Sequence, residues 1–220
     1  MKTASNNCAW AISSLIFFNT HKDTLYARLS AHPIYPGLFK TAYGVENVYT
    51  LEYETIKKTI TSSIAQYLRT LISSQSKFDL FLQHKTNFTN SERIGLSIYM
   101  SEKGDCFHCH GFPLMTDNMF HNNGLDSAFA GQNKGLYLVT GNSGDLGKFS
   151  TPTLRNIEFT APYMHDGRFG TLEEVVEFYD SGVKHSETLD PIMTKPGKER
   201  GLNLNVYEKK MLGRVSKNFQ

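Results

Sequence analysis

Cysteine is scarce in this chain: Cys8, Cys106 and Cys109 are all it has. Three cysteines do not build the disulfide framework that holds small secreted domains together. A second Cys-x-x-Cys, which a zinc ribbon would need, is absent. An excess of one charge is also missing. Lys and Arg number 23 against 21 Asp and Glu, a net +2, so neither a nucleic-acid surface nor an acidic tail is indicated. No apolar run approaches the roughly 18 residues of a membrane span. There is no internal repeat and no low-complexity tract, and strand signal is weak throughout.

What is present supports a real core. The chain has 220 residues, 40% of them hydrophobic, enough for one large domain or two small ones. The N-terminus is ambiguous. Lys2 and the apolar stretch Ala9–Phe18 outline a short signal peptide, but no small-x-small cleavage site precedes His21 and Lys22. A buried helix, or the start of a truncated chain, is the reading the segment favours. Cys8 precedes the hydrophobic stretch, whereas a lipid-anchoring cysteine would follow one.

Cys106-Phe107-His108-Cys109-His110 is the motif richest in chemistry. Cys-x-x-Cys-His is the attachment signature of a c-type haem. Two thiols three residues apart on one helical turn reach the two vinyl groups, and the next residue, His110, is held under the iron as proximal ligand. A redox dithiol or half of a zinc site is compatible with the same cysteine pair. His108, as spacer, should point away.

Hydrophobic periodicity places helices over Lys22–Leu29, over Tyr53–Ile72 (Ile56, Ile60, Ile64, Leu68, Leu71) and from an N-cap near Ser91 to Lys103-Gly104. His32-Pro33 should stop the first, and Ile34-Tyr35-Pro36-Gly37 reads as a turn. Thr171 with Glu174 forms a capping box opening a last helix, with Leu172, Val175, Val176 and Tyr179 on one face. Residues 111–159 are rich in Gly, Asn and Pro without a sustained period. The fold class that follows is mainly α. By resemblance to a known haem-protein family, residues 1–20 are expected to be a poorly matched N-terminus, 21–88 a helical segment, and 89–220 a cytochrome c-like haem domain with long irregular loops.

Ordered segments resemble the di-haem cytochrome c peroxidase family, including its MauG-type branch. They are Tyr67-Leu68-Arg69-Thr70-Leu71-Ile72-Ser73 with Ser76-Lys77-Phe78-Asp79, the Cys106–His110 pentad, and Phe120-His121-Asn122-Asn123-Gly124-Leu125. Thr151-Pro152-Thr153-Leu154-Arg155-Asn156, Ala161-Pro162-Tyr163-Met164-His165-Asp166-Gly167 and Thr171–Tyr179 complete the set. The likeness runs from about residue 21 to about 205, and the tail from Val206 matches loosely. The first of the family's two Cys-x-x-Cys-His motifs has no counterpart here, and Trp10 does not match the family's tryptophan between the haems. The family's peroxide-site glutamate would fall at Leu15–Phe18. The chain therefore resembles the C-terminal, electron-transfer haem portion of such an enzyme.

The resemblance implies one covalent haem c on Cys106 and Cys109, His110 as proximal ligand, and a distal ligand at Tyr179, the MauG-type residue where peroxidases carry methionine. A phenolate should lower the reduction potential relative to a thioether. Tyr179 as plain core is the bland reading, and Met164 is the competing ligand. His165 is implied near the haem and Arg155 at a propionate, where a guanidinium suits a carboxylate. Calcium, which favours oxygen donors, is implied at the backbone carbonyls of Thr160 and Pro162. The family's activity is reduction of hydrogen peroxide with electrons from a donor protein such as a small cytochrome or cupredoxin. A mono-haem carrier and a MauG-type protein-modifying oxidase are the alternatives. No nucleic-acid partner is implied. Haem attachment on the oxidising side of a bacterial membrane implies a periplasmic location.

Overall fold

The computed structural model describes residues 21–198 and 201–219; the expectations for Cys8, Trp10 and the apolar stretch Ala9–Phe18 lie outside them. The protein is mainly helical, and its contacts divide it into two compact units, one ending at Ile72 and one beginning at Ser73.

The first unit holds α1 (Lys22–Ala31), α2 (Tyr35–Tyr43) and α3 (Tyr53–Thr70). α1 stops at His32, ahead of Pro33, as the conformational bias of a residue before proline dictates. The expected turn at Ile34–Gly37 is instead the opening of α2. Pro36 lies in its first turn, where a missing N–H costs nothing. Tyr26, Leu29, Phe39, Val48 and Ile56 make the core. The Tyr26 hydroxyl donates to the Leu51 carbonyl at 2.6 Å. The α3 stripe is buried only at its start. Ile56, Thr61 and Ala65 are buried, whereas Leu68 and Leu71 are exposed, at 45% and 60%.

The second unit is built on α4 (Lys77–Leu82), α5 (Asn90–Tyr99), α6 (Cys106–Cys109), α7 (Tyr137–Thr140), α8 (Leu172–Glu177) and α9 (Val206–Ser216). α5 begins slightly earlier than the sequence predicts. Thr89, not Ser91, is the N-cap, and its hydroxyl and Glu92 close a capping box. The helix ends at Tyr99, not at Gly104, and a tight turn leads to α6. Sequence grouping places α4 with the preceding helical segment. It packs in this unit instead, because Phe78 lies against Phe112 and Phe219 and its N–H donates to the Asn218 carbonyl.

α9, the loosely matched tail, is central. Met211, Leu212, Val215 and the following Phe219 are all buried. α9 crosses α5 at Gly95, where a Cβ would sit 2.2 Å from the Met211 carbonyl oxygen. Only glycine permits that approach. Between α6 and α8 the chain is irregular, as its composition predicts. It is pinned by a short antiparallel pair, β1 (Phe120–His121) with β2 (Phe149–Ser150), in register Phe120 to Ser150 and His121 to Phe149.

Candidate haem site

α6 spans only the four residues of the motif. Asp105, in the left-handed conformation at φ 56°, turns the chain into it, and Lys195 donates to Asp105 at 2.8 Å. Lys198 also bonds Asp105, so the segment 195–198 fastens the entry to the motif. Cys106 and Cys109 are half-buried and unpaired. Burial pushes the Cys106 thiol up to about 12 and the Cys109 thiol to about 11. The Cys106 Sγ–H points to the Gly104 carbonyl at 3.4 Å. Redox dithiols need the opposite, a lowered thiol pKa.

His110 is oriented from two sides. Its Nδ1 lies 3.0 Å from the Met115 carbonyl oxygen. A carbonyl only accepts, so Nδ1 carries the proton and Nε2 keeps its lone pair. This is how ligating histidines are commonly held. Burial keeps the ring's pKa below the usual histidine value. The fully buried Tyr99 donates its hydroxyl to the His110 carbonyl at 2.5 Å.

The two competing distal ligands meet at one residue. The Asn123 side-chain nitrogen lies 3.2 Å from the Tyr179 hydroxyl oxygen and 3.6 Å from the Met164 sulfur. Tyr179 does not continue α8 regularly. It sits in a π-helical turn, Phe178–Gly182, a rare geometry that often marks functional sites. Burial raises its pKa to about 12, with the Cys109 and Cys106 thiols adding to the rise and the Asn123 bond opposing it. Met164 adopts φ 73°, unusual for a side chain with a Cβ.

The other expected residues fall as follows. His165 stacks on Phe149 with centroids 3.6 Å apart, its Nε2 3.1 Å from Asn133 Oδ1. Together with Asn123 these residues line one recess. Arg155, expected at a propionate, is bonded to protein groups. Nη1 and Nη2 each donate to Asp79 at 2.9 Å, and Nε donates to the Pro113 carbonyl, so its donors are committed to the protein. Thr160 and Pro162 are exposed. They offer two carbonyls where calcium takes six to eight oxygens, so these two residues alone do not complete a calcium site.

Two groups of metal-capable side chains occur among the described residues: Cys109 with Asp117 and His121, and Glu102 with Asp105 and His108. The second is neutralised by Lys195 and Lys198. Cys106 belongs to neither, which argues against a zinc site using both cysteines. The donor set does fit a covalently attached haem: two neutral thiols on one turn and an adjacent imidazole whose Nδ1 is held by a backbone carbonyl. The sequence alone assigns no role to Asn123, Tyr99 or the Met115 carbonyl. Asn123 lies inside a segment with family likeness, but no periodicity reveals its two contacts.

Comparison with known proteins shows the family. The family model described as di-haem cytochrome c peroxidase matches residues 2–87, beginning inside the segment 1–20 that was expected to match poorly. A cytochrome-c peroxidase, IdrP1, of Pseudomonas sp. (strain SCT) is 33% identical over 210 residues, covering 79% of this chain and 53% of the relative. A cytochrome c551 peroxidase of Nitrosomonas europaea is 37% identical over 153 residues, covering 68% of this chain and 43% of the relative. The crystal structure of a MauG-like protein associated with microbial copper homeostasis superposes with a TM-score of 0.69 at 31% identity, covering 90% of this chain and 61% of that one. The chain thus spans about half the length of the curated relatives it matches.

Proposed function

Because this chain belongs to the di-haem cytochrome c peroxidase family, we propose that it is a c-type haem redox protein corresponding to that family's electron-transfer haem half. Cys106 and Cys109 would anchor the haem, His110 would be the proximal ligand and Tyr179 the distal one. When bound, the haem supplies a one-electron carrier whose potential its axial ligands set. The observation that carries the reading is the tie of His110 Nδ1 to the Met115 carbonyl beside two unpaired thiols. With Nδ1 donating to that carbonyl, the imidazole has the tautomer suited to a metal.

The chain's own residues do the rest. Lys195 and Lys198 hold the entry to α6 through Asp105. Tyr99 fixes the His110 backbone. His165 and Phe149 stack at the edge of the recess beside Asn123. Electrons would come from a small donor protein such as a cytochrome or cupredoxin and pass to a further haem domain of the family, where hydrogen peroxide is reduced. The setting would be the periplasm. Among the described residues no helix is long and apolar enough to cross a membrane. Calcium would need oxygen ligands beyond the carbonyls of Thr160 and Pro162.

The test is expression with cytochrome c maturation machinery, followed by the reduced pyridine spectrum. One haem c per chain is expected, lost when Cys106 and Cys109 are both changed to Ala; a colourless wild-type product would refute the reading. Peroxide turnover with a reduced donor then separates two outcomes. Turnover no better than free haem makes the chain an electron carrier. Tyrosine rather than methionine at position 179 favours a second reading, a MauG-type oxidase acting on a partner protein. Its test is oxidation of partner side chains in the presence of peroxide.

A further inference from the structure

We propose that Asn123 selects which of two donor atoms, the Tyr179 oxygen or the Met164 sulfur, serves as distal ligand, and that it selects oxygen. The inference rests on the reading of this site as a haem site with a tyrosine ligand.

One amide nitrogen carries two N–H donors, so Asn123 can hold both side chains at once. Its bond to the Tyr179 oxygen is 3.2 Å, and its approach to the Met164 sulfur is 3.6 Å. The two contacts are unequal in kind as well as in length. Thioether sulfur is a weak acceptor. A bond to an ionised oxygen is roughly twice as strong as one between neutral groups. The same donor therefore favours the oxygen as an anionic ligand and does little for the sulfur.

Asn123 is itself immobilised on both flanks. The side chain of buried Asn122 donates to the hydroxyls of Ser186 and Thr188, both at 2.9 Å, and accepts from the Gly124 N–H. The Asn122 carbonyl accepts from the Asp190 N–H, and the Gly124 carbonyl accepts from the Lys184 N–H. Gly124, at φ 77°, is pressed so closely that a Cβ would lie 2.6 Å from Val183 Cγ1. The backbone at Asn123 is thus fastened to residues 184–190 before and after it. The two candidate ligands come from independent supports. Tyr179 is delivered by the π turn, and Met164 by a loop closed between Tyr163 and Phe169. A fixed donor between two separately mounted acceptors is a selector, and as such Asn123 is a positioning residue.

The experiment uses the haem-loaded protein and reads the ferric absorption and paramagnetic resonance spectra together with the midpoint potential. Asn123→Leu and Asn123→Asp both remove the donor; the second keeps size and shape if the first does not hold haem. The ratio of oxygen to sulfur ligation should fall about tenfold or more, the scale of one hydrogen bond to a charged group. The tyrosinate band should shrink, a thioether-ligated signal should appear, and the potential should rise, since methionine ligation raises it. Adding Met164→Leu should abolish the thioether signal. Unchanged spectra and potential in both Asn123 variants, with a band that Tyr179→Phe abolishes, would overturn the selector while leaving tyrosine ligation intact. An unchanged spectrum in Tyr179→Phe would instead remove tyrosine ligation, and the selector with it.

Discussion

Arg155 grips Asp79 with both arms of its guanidinium, Nη1 to Oδ2 and Nη2 to Oδ1, each at 2.9 Å. The pair ties the irregular stretch before Asn156 to the N-terminus of α4, where Asp79 also completes the capping box with Ser76. Both side chains are only about a tenth exposed, at 13% and 10%. Removing one partner of a buried pair strands the other, so Arg155→Ala should cost about 3 kcal/mol. Chemical denaturation checks this. Because the fork is spent on Asp79, the haem spectrum and potential of folded Arg155→Lys should match wild type. A displaced potential would restore a role at the propionate.

The same pair sets a pH dependence. The Arg155 hydrogen bonds outweigh burial and hold the Asp79 carboxyl below the usual aspartate range. A depressed folded pKa contributes stability that is present above the unfolded value, near 3.9, and lost as pH falls through the folded one. Urea midpoints between pH 5 and pH 2 should therefore fall more steeply in wild type than in Asp79→Asn.

His121 predicts the opposite slope. Its Nδ1 lies 2.5 Å from Asp190 and its Nε2 2.7 Å from Asp117, so both nitrogens face carboxylates. Burial alone would lower its pKa, but the Asp190 and Asp117 hydrogen bonds prevail and raise it. A raised folded pKa gives stability that is complete below the unfolded value, near 6.5, and disappears as pH rises through the folded one. His121→Gln should cost about 1 kcal/mol at pH 6, because the cluster is about a quarter exposed, and measurably less at pH 9. Equal costs at both pH values would show that the imidazolium is not what binds the two loops.

Local signals are the legible ones. The Thr171 capping box, the α6 turn at the cysteine motif and the stop before Pro33 each depend on residues within a few positions, and each forms as the sequence predicts. Signals that need a distant partner mislead or stay silent. Arg155 finds Asp79 76 positions away, and Asn123 finds Tyr179 56 positions away, which no periodicity encodes. The α3 stripe has the period of a wholly buried face, yet burial depends on what lies opposite, and Leu68 and Leu71 are exposed. Segment likeness read from the sequence fades in the tail, although Asn205 and Glu208 spell the same kind of capping box as Thr171 and Glu174.

Tyr99 should matter for both stability and the site. Its hydroxyl donates to the His110 carbonyl at 2.5 Å from a side chain only 1% exposed. Tyr99→Phe keeps the ring's packing against Phe112 and Phe219 but strands a buried acceptor, at about 1–2 kcal/mol. Denaturation should register that loss, and the resting spectrum of the haem-loaded variant should show a loosened proximal histidine. A spectrum identical to wild type would confine Tyr99 to packing.

Gly95 offers the sharpest test of the fold that carries the site. A Cβ there would lie 2.2 Å from the Met211 carbonyl oxygen and 3.0 Å from Val215 Cβ. The obstacle is backbone, not the flexible end of a side chain, so α5 and α9 would have to separate. Tyr99 ends α5, and Met211, Leu212 and Val215 line the buried face of α9, so separation opens the core beside His110. Gly95→Ala should therefore cost about 3 kcal/mol despite the better helix propensity of alanine. Gly37, inside α2 with nothing within 4 Å of where a Cβ would sit and no positive φ, is the control. Gly37→Ala should be neutral or stabilise by about 0.5–1 kcal/mol, through the lost freedom of the unfolded chain. Parallel denaturation curves for the two variants would show that the approach at Gly95 does not hold the helices together.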